Sequence, residues 1–154
     1  MRDTGVRIVL LGSANEKSLA EIVKGKMGQL DKGLEGDDKG TNGHVSDLTG
    51  KLNLEELAST IKGLKLLICN DGGPMHMAVA LGVKTVSIFG PVDEKVYGPY
   101  PADKDHIVVK KDVPCRPCYK GFRFPGCNNN KICLEDITVE EVYEQVERLL
   151  RPPL

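Results

Sequence analysis

The chain has no tryptophan, and its 154 residues include only four tyrosines and three phenylalanines. It therefore lacks the row of flat rings on which single-stranded bases stack. It also lacks a dominant charge: the formal net charge is −1, so no global field draws it to nucleic acid or to an anionic membrane. No apolar run comes near the roughly 20 residues needed to span a bilayer. Val6–Leu11 is apolar but short, and Arg7 interrupts it, which suits a first β-strand better than the core of a signal peptide. What is present is ordinary for a folded soluble domain, 40% hydrophobic and 28% charged residues. The length suits one domain with a real core.

The most informative stretch is Cys69-Asn70-Asp71-Gly72-Gly73-Pro74-Met75-His76. Leu66, Leu67 and Ile68 before it read as a strand buried on both faces, Pro74–Leu81 as a helix, and Lys84–Phe89 as the next strand. Proline at the helix start and Gly82 just past its end are the expected punctuation. A strand–turn–helix–strand unit in a parallel sheet puts its turn at the carboxyl ends of the strands, where α/β folds bind ligands. Gly72 and Gly73 leave the backbone bare there, and the amides at a helix start favour an anion such as phosphate. Asp71 and His76 flank that point. A carboxylate beside phosphate-binding amides suits sugar hydroxyls, since it repels the phosphate itself. Each residue also has a plain structural reading: Asp71 as the cap of the turn, His76 as a packed histidine. Convergence at the mouth of the sheet favours a ligand site.

Elsewhere the same alternation recurs. Val6–Leu11 leads through Gly12-Ser13-Ala14-Asn15 into a helix from about Glu16 to Met27, with Leu19, Ile22, Val23 and Met27 along one face. Residues 29–44, rich in Gly, Asp and Lys, read as a surface loop. A short strand over Val45–Leu48 is followed by a capping box, Asn53 with Glu56, opening a helix with Leu54, Leu57, Ala58 and Ile61 as its buried stripe. Ile107–Val109 is a further strand. Thr138 with Glu141 opens a last helix carrying Val142, Val146, Leu149 and Leu150. Alternating short strands and helices predict a single α/β domain over 1–154, a Rossmann-like three-layer sandwich with a mostly parallel sheet. Val6–Leu11, Leu66–Cys69 and Thr85–Phe89 are its expected central strands. Neither turn reads G-x-G-x-x-G, which disfavours a dehydrogenase-like domain.

Four of the five cysteines, Cys115, Cys118, Cys127 and Cys133, fall in a Pro-, Gly- and Asn-rich loop at 113–134. Cys69 stands apart and reads as a small core residue. The C-x-x-C pair has the spacing of a tetrahedral zinc site, while the five residues between Cys127 and Cys133 are loose for one. A structural zinc pinning the loop and four packed, reduced or disulfide-linked thiols are both open. Arg116, Lys120 and Arg123 nearby face either an anionic acceptor or simply water.

Asn70-Asp71-Gly72-Gly73-Pro74-Met75-His76-Met77-Ala78, running on to Ala80-Leu81-Gly82 and Phe89-Gly90-Pro91-Val92-Asp93, resembles glycosyltransferase family 9, the heptosyltransferases of the lipopolysaccharide inner core. Thr49-Gly50-Lys51-Leu52-Asn53-Leu54, Tyr97-Gly98-Pro99-Tyr100, Cys115 with Cys118, and Cys133 before the final helix extend the likeness over essentially the whole chain. The resemblance implies the C-terminal half of a GT-B glycosyltransferase, which binds an ADP-heptose-like nucleotide sugar. Asp71, Gly72, Gly73, Pro74 and His76 would face the diphosphate and sugar, with Gly12 and Glu16 near the nucleoside. No cofactor is implied for the chemistry. The N-terminal acceptor domain, with the family's catalytic carboxylate, would lie outside this sequence, so the chain reads as a half that does not transfer sugar alone. Its partners would be the donor, the missing domain and, through it, the lipopolysaccharide-core acceptor; no nucleic acid is expected. Its place would be cytoplasmic and peripheral at the inner face of the membrane. The chain departs from the family pattern at Gly72, where Ser or Thr is usual. The competing class is a small metal-stabilised α/β binding module without catalytic activity.

Overall fold

A computed structural model describes residues 6–31 and 45–151. They fall in two compact units, Met1–Glu56 and Leu57–Leu154, with the boundary inside one helix.

In the first unit, β1 (Ile8–Leu10) leads through a 3-10 turn at Ala14–Glu16 into α1 (Lys17–Asp31), and β2 (Val45–Asp47) follows. β1 and β2 pair in parallel, Ile8 opposite Val45 and Leu10 opposite Asp47. The pairing continues past the strands: the Leu48 N–H donates to the Leu10 carbonyl at 3.0 Å and the Gly50 N–H to the Gly12 carbonyl at 2.8 Å. Helix α2 (Leu54–Lys62) starts as its sequence predicts. The Asn53 N–H donates to Glu56 Oε2 at 2.8 Å, and the Glu56 N–H returns a bond to Asn53 Oδ1 at 2.9 Å.

The second unit runs β3 (Leu66–Asn70), α3 (Gly73–Ala80), β4 (Lys84–Phe89), α4 (Glu94–Tyr97), β5 (His106–Lys110), α5 (Ile132–Glu135) and α6 (Val139–Leu150). Its three strands are parallel in the order β3-β4-β5. β4 is the centre, and Thr85, Val86, Ser87 and Phe89 on it are buried. Burial of successive residues follows from packing on both faces of a parallel sheet. The two buried hydroxyls are partnered, Thr85 by His106 Nδ1 at 3.2 Å and Ser87 by Cys69 Sγ at 3.6 Å. α3 packs on β3 and β4, α5 on β4, and α6 on all three strands. At the end of β4, Gly90 lies so close under Leu134 of α5 that a Cβ would stand 2.8 Å from its Cγ. Thr138 and Glu141 exchange the expected bonds at the start of α6. At its far end, Lys84 Nζ donates to the Leu149 carbonyl at 2.9 Å, a cation at the negative end of the helix dipole.

Four expectations are corrected. The first strand is shorter than Val6–Leu11, and among the described residues it pairs with β2 alone rather than beside β3 and β4. Apolar content shows that a strand is buried but not which backbone it bonds. The stripe on α1 is open at Leu19 and Ile22, which are 57% and 56% exposed, while Ala20 is buried. Leu54 on α2 and Ile68 on β3 are likewise exposed, so β3 is not buried on both faces. Of the loop read over 29–44, residues 29–31 continue α1 and 32–44 lie outside the described residues.

Candidate functional site

The turn between β3 and α3 is built from the core outward. Met75 and Ala78, one helical turn apart, are fully buried on α3. Met75 packs with Phe89 and Val92, and Cys69, Tyr97 and Tyr119 lie against that cluster. With Met75 facing in, the next residue is turned about 100° away, and His76 is exposed. The Asp71 N–H donates to the Ile88 carbonyl at 3.1 Å, which carries β3's pairing one residue past the strand. Gly72 is extended, and its carbonyl accepts from the Met75 N–H at 3.2 Å to start the helix. Pro74 follows in the first helical turn, where its missing N–H is no loss.

Space over the turn is open. A Cβ on Gly73 would meet nothing within 4 Å, and one on Gly72 only Pro74 Cδ at 3.9 Å. The departure from Ser or Thr at 72 is therefore not forced by crowding. Asp71 is half-buried, and its carboxylate has no hydrogen bond or ion pair among the described residues. Desolvation pushes its carboxyl above the ordinary value, opposed by the charge of His76. The structure thus brings together an unpartnered carboxylate, an exposed imidazole and two bare backbone positions at a helix start. Asp71 does not cap the turn, and His76 is not a packed core residue. Cys69 matches its expected role: burial raises its thiol, and Ser87 is its partner.

Gly12 and Glu16 occupy the other β-to-α turn. Both Ser13 N and Ser13 Oγ donate to Glu16 Oε2 at 2.7 Å, and these bonds hold the Glu16 carboxyl below its ordinary value. A Cβ on Gly12 would stand 3.2 Å from both Glu16 Oε2 and Thr49 Cγ2. Gly50, at φ +67°, allows its N–H to reach the Gly12 carbonyl, and a Cβ there would lie 2.7 Å from Ala14 Cα. The Thr-Gly-Lys stretch is thereby tied to the first turn. Its Thr49 is buried, and the Thr49 N–H bonds Asp47 Oδ1 at 2.9 Å, the main cause of that carboxyl's lowered pKa.

Cys115, Cys118, Cys127 and Cys133 all line one cavity of about 240 Å³ and all are free thiols. Burial first, then the neighbouring Cys118, Cys115 and Cys127, push the Cys133 thiol up. Cys127 Sγ accepts the Lys131 N–H at 3.2 Å. As a donor set, four thiols suit a soft tetrahedral ion. Among the described residues, however, no three His, Cys, Asp or Glu groups already stand at the spacing of a bound ion.

A larger cleft of about 510 Å³ lies among Asp93, Lys110, Asp112 and Arg116. Its central charges pair with one another: Lys110 Nζ lies 2.8 Å from Glu94 and 2.9 Å from Asp112. Size alone does not make it the better site, because most of its charged groups are engaged with one another. Arg116 faces inward rather than toward water or an acceptor. Its side chain is 7% exposed and donates to the Gly90 and Val92 carbonyls and to Glu94 Oε2. No spacing rule identifies that clamp, because its partners are backbone carbonyls more than 20 residues away.

Comparison with known proteins identifies the family and the fold. Residues 1–124 match the family described as Glycosyltransferase family 9 (heptosyltransferase). The chain is 34% identical over 113 residues to lipooligosaccharide heptosyltransferase 2 of Campylobacter jejuni, covering 73% of this chain and 34% of that protein. It thus spans about a third of the length of that curated relative. The family 9 glycosyl transferase of Veillonella parvula matches in structure with a TM-score of 0.67 and 27% identity, over 95% of this chain and 37% of that one. E. coli ADP-heptose lps heptosyltransferase II shares the fold, with a TM-score of 0.65 and 22% identity over 94% of this chain and 36% of that one. The parallel α/β architecture is of the GT-B type.

Proposed function

As the chain belongs to glycosyltransferase family 9, we propose that it is the donor-binding part of a heptosyltransferase acting on the lipopolysaccharide inner core, with an ADP-heptose-like nucleotide sugar as donor. The observation that carries this is the Asp71 carboxylate, half-buried, raised by desolvation and without a hydrogen-bond partner among the described residues. A partly desolvated carboxylate with no protein donor is free to accept from a ligand, and sugar hydroxyls are suitable donors. The diphosphate lies over Gly72 and Gly73, where nothing stands above the backbone and the helix dipole favours negative charge. His76 donates to a phosphate oxygen from the first turn of α3. For Gly12 and Glu16 a role toward the nucleoside rests on the family resemblance alone, with one Glu16 oxygen held by Ser13.

Glycosyl transfer needs a base at the acceptor hydroxyl and an enclosed site. In this proposal both come from an acceptor domain beyond this chain, and the chain alone binds donor weakly and transfers nothing. Calorimetric titration of ADP into the purified chain, beside a transfer assay with a lipopolysaccharide-core acceptor, tests both halves. Binding that weakens in His76→Ala is expected, and robust transfer by this chain alone would overturn the division of labour.

A structural zinc at Cys115, Cys118, Cys127 and Cys133 is a separate proposal, supported by the cavity the four thiols share. It requires the ion to draw them inward. Elemental analysis after purification without chelator should find close to one zinc per chain, and metal-free protein whose loop is equally protected from hydrogen exchange would retire it.

A further inference from the structure

Residues 113–134 hold four cations and no acid, in a chain with 22 acidic residues. Arg116 is used internally by Glu94. Lys120, Arg123 and Lys131 are exposed and have no ion pair among the described residues. Two of the chain's three phenylalanines also lie here. Phe122 is 81% and Phe124 50% exposed, whereas Phe89 is wholly buried.

Lys120–Arg123 is a two-residue hairpin turn. The Lys120 N–H donates to the Arg123 carbonyl at 3.1 Å, and the Arg123 N–H to the Lys120 carbonyl at 3.0 Å. Its central residues, Gly121 and Phe122, have φ of 54° and 60°. Such turns favour Asn and Gly, and a bulky residue there is a strained exception. The phenylalanine is thus held at the tip against the preference of the backbone, a pattern associated with function. The support is firm: Tyr97 meets Phe122 edge-on at 6.3 Å and Tyr119 at 5.6 Å, and both tyrosines pack on the Met75–Phe89–Val92 cluster. The Cys118 and Tyr119 N–H groups bond the Pro91 carbonyl at 3.0 and 3.1 Å.

We propose that this hairpin is an interfacial anchor that inserts Phe122 and Phe124 among the headgroups of an anionic lipid bilayer while Lys120 and Arg123 pair with lipid phosphates. The proposal rests on the reading of the chain as part of an enzyme whose acceptor is membrane-borne. Aromatic rings settle at the headgroup level, and each basic residue near an anionic surface adds attraction that salt screens. Charge complementarity selects the occupant: unpaired cations on both sides of an exposed ring match a phosphate-rich surface with apolar depth beneath it.

The test is sedimentation of the whole chain with phosphatidylglycerol or phosphatidylcholine vesicles, with ADP titration of the same samples. Partition should favour the anionic vesicles and fall roughly fivefold or more in Lys120→Gln/Arg123→Gln. Phe122→Asn, which suits the positive φ and so preserves the turn, should fall likewise. Because the chain has no tryptophan, Phe122→Trp gives a single reporter whose emission should shift to the blue only with anionic vesicles. Equal partition to both vesicles, unchanged partition of Phe122→Asn, or full competition by inorganic phosphate would overturn the anchor. Normal ADP binding beside any of these results sinks the anchor alone, whereas loss of ADP binding with vesicle binding intact sinks the donor site.

Discussion

The two β-to-α turns of this protein place an acidic residue beside a helix start and use it in opposite ways. In the first, Glu16 takes two bonds from Ser13 and its pKa falls. In the second, Asp71 takes none and its pKa rises with burial. Sequence position alone makes the two acids equivalent candidates. What separates them is whether a local donor reaches the carboxylate first. A carboxylate bonded within its turn stabilises that turn, while one without a local donor keeps its acceptor sites open to a ligand.

The largest effect expected from that contrast is at the open turn. His76→Ala should weaken ADP binding by about 1.5–3 kcal/mol, the worth of a hydrogen bond to a charged group, with the unfolding midpoint unchanged. A collapsed midpoint with unchanged affinity per folded molecule would break the contrast.

Glu94 extends the satisfied class. Bonds from Lys110 above all, with help from Arg116, lower its pKa to about 2. A depressed carboxyl contributes stability that is present above its unfolded value near 4.5 and lost as pH falls toward 2. Acid titration of stability should therefore drop by at most about 2 kcal/mol more in the natural chain than in Glu94→Gln, after allowance for solvent screening.

A smaller, sign-reversing pair sharpens the comparison. Glu16→Ala should destabilise through loss of its capping-box bonds. Asp71→Asn should leave stability unchanged or raise it slightly at neutral pH. The raised carboxyl of Asp71 favours the fold below its unfolded pKa and loses that contribution as pH rises through the folded value; asparagine has no such loss. Denaturant titrations of both variants read the two signs directly, and the same sign in both would erase the distinction. Smallest of all, Gly72→Ser should shift stability by no more than about 0.5 kcal/mol, since Cβ has room and φ is extended. A large loss in the same titration would show that the space over the turn is not open.

The central unit was legible because it is punctuated. Glycines, Pro74 and Gly82 bound α3, and the β-rich runs bound β3 and β4. The capping boxes at Asn53 and Thr138 were legible for the same reason, each being a reciprocal pair at fixed spacing. Exposure of Leu19, Ile22, Leu54 and Ile68 was not, because periodicity tells which face is apolar and not what covers it. Gly50 and Arg116 escaped because their partners are remote: the Gly12 carbonyl for one, the Gly90 and Val92 carbonyls for the other. The turn chemistry pointed to Asp71 and the family resemblance to Glu16, and their hydrogen-bond partners distinguish them.

The close seat of Leu134 over Gly90 changes what variation in this region can reveal. With a Cβ at residue 90 standing 2.8 Å from Leu134 Cγ and 2.9 Å from its Cδ1, every other amino acid would displace that leucine. Leu134 is 37% exposed and its side chain can swing aside, so a mutational library screened for nothing but soluble protein would be enriched in glycine and small residues at this position. A preference for glycine in Phe-Gly-Pro among relatives would accordingly record a spatial constraint rather than selection for sugar transfer. Positions 72 and 73, where the fold tolerates a side chain, are where selection for ligand binding would leave a separable trace.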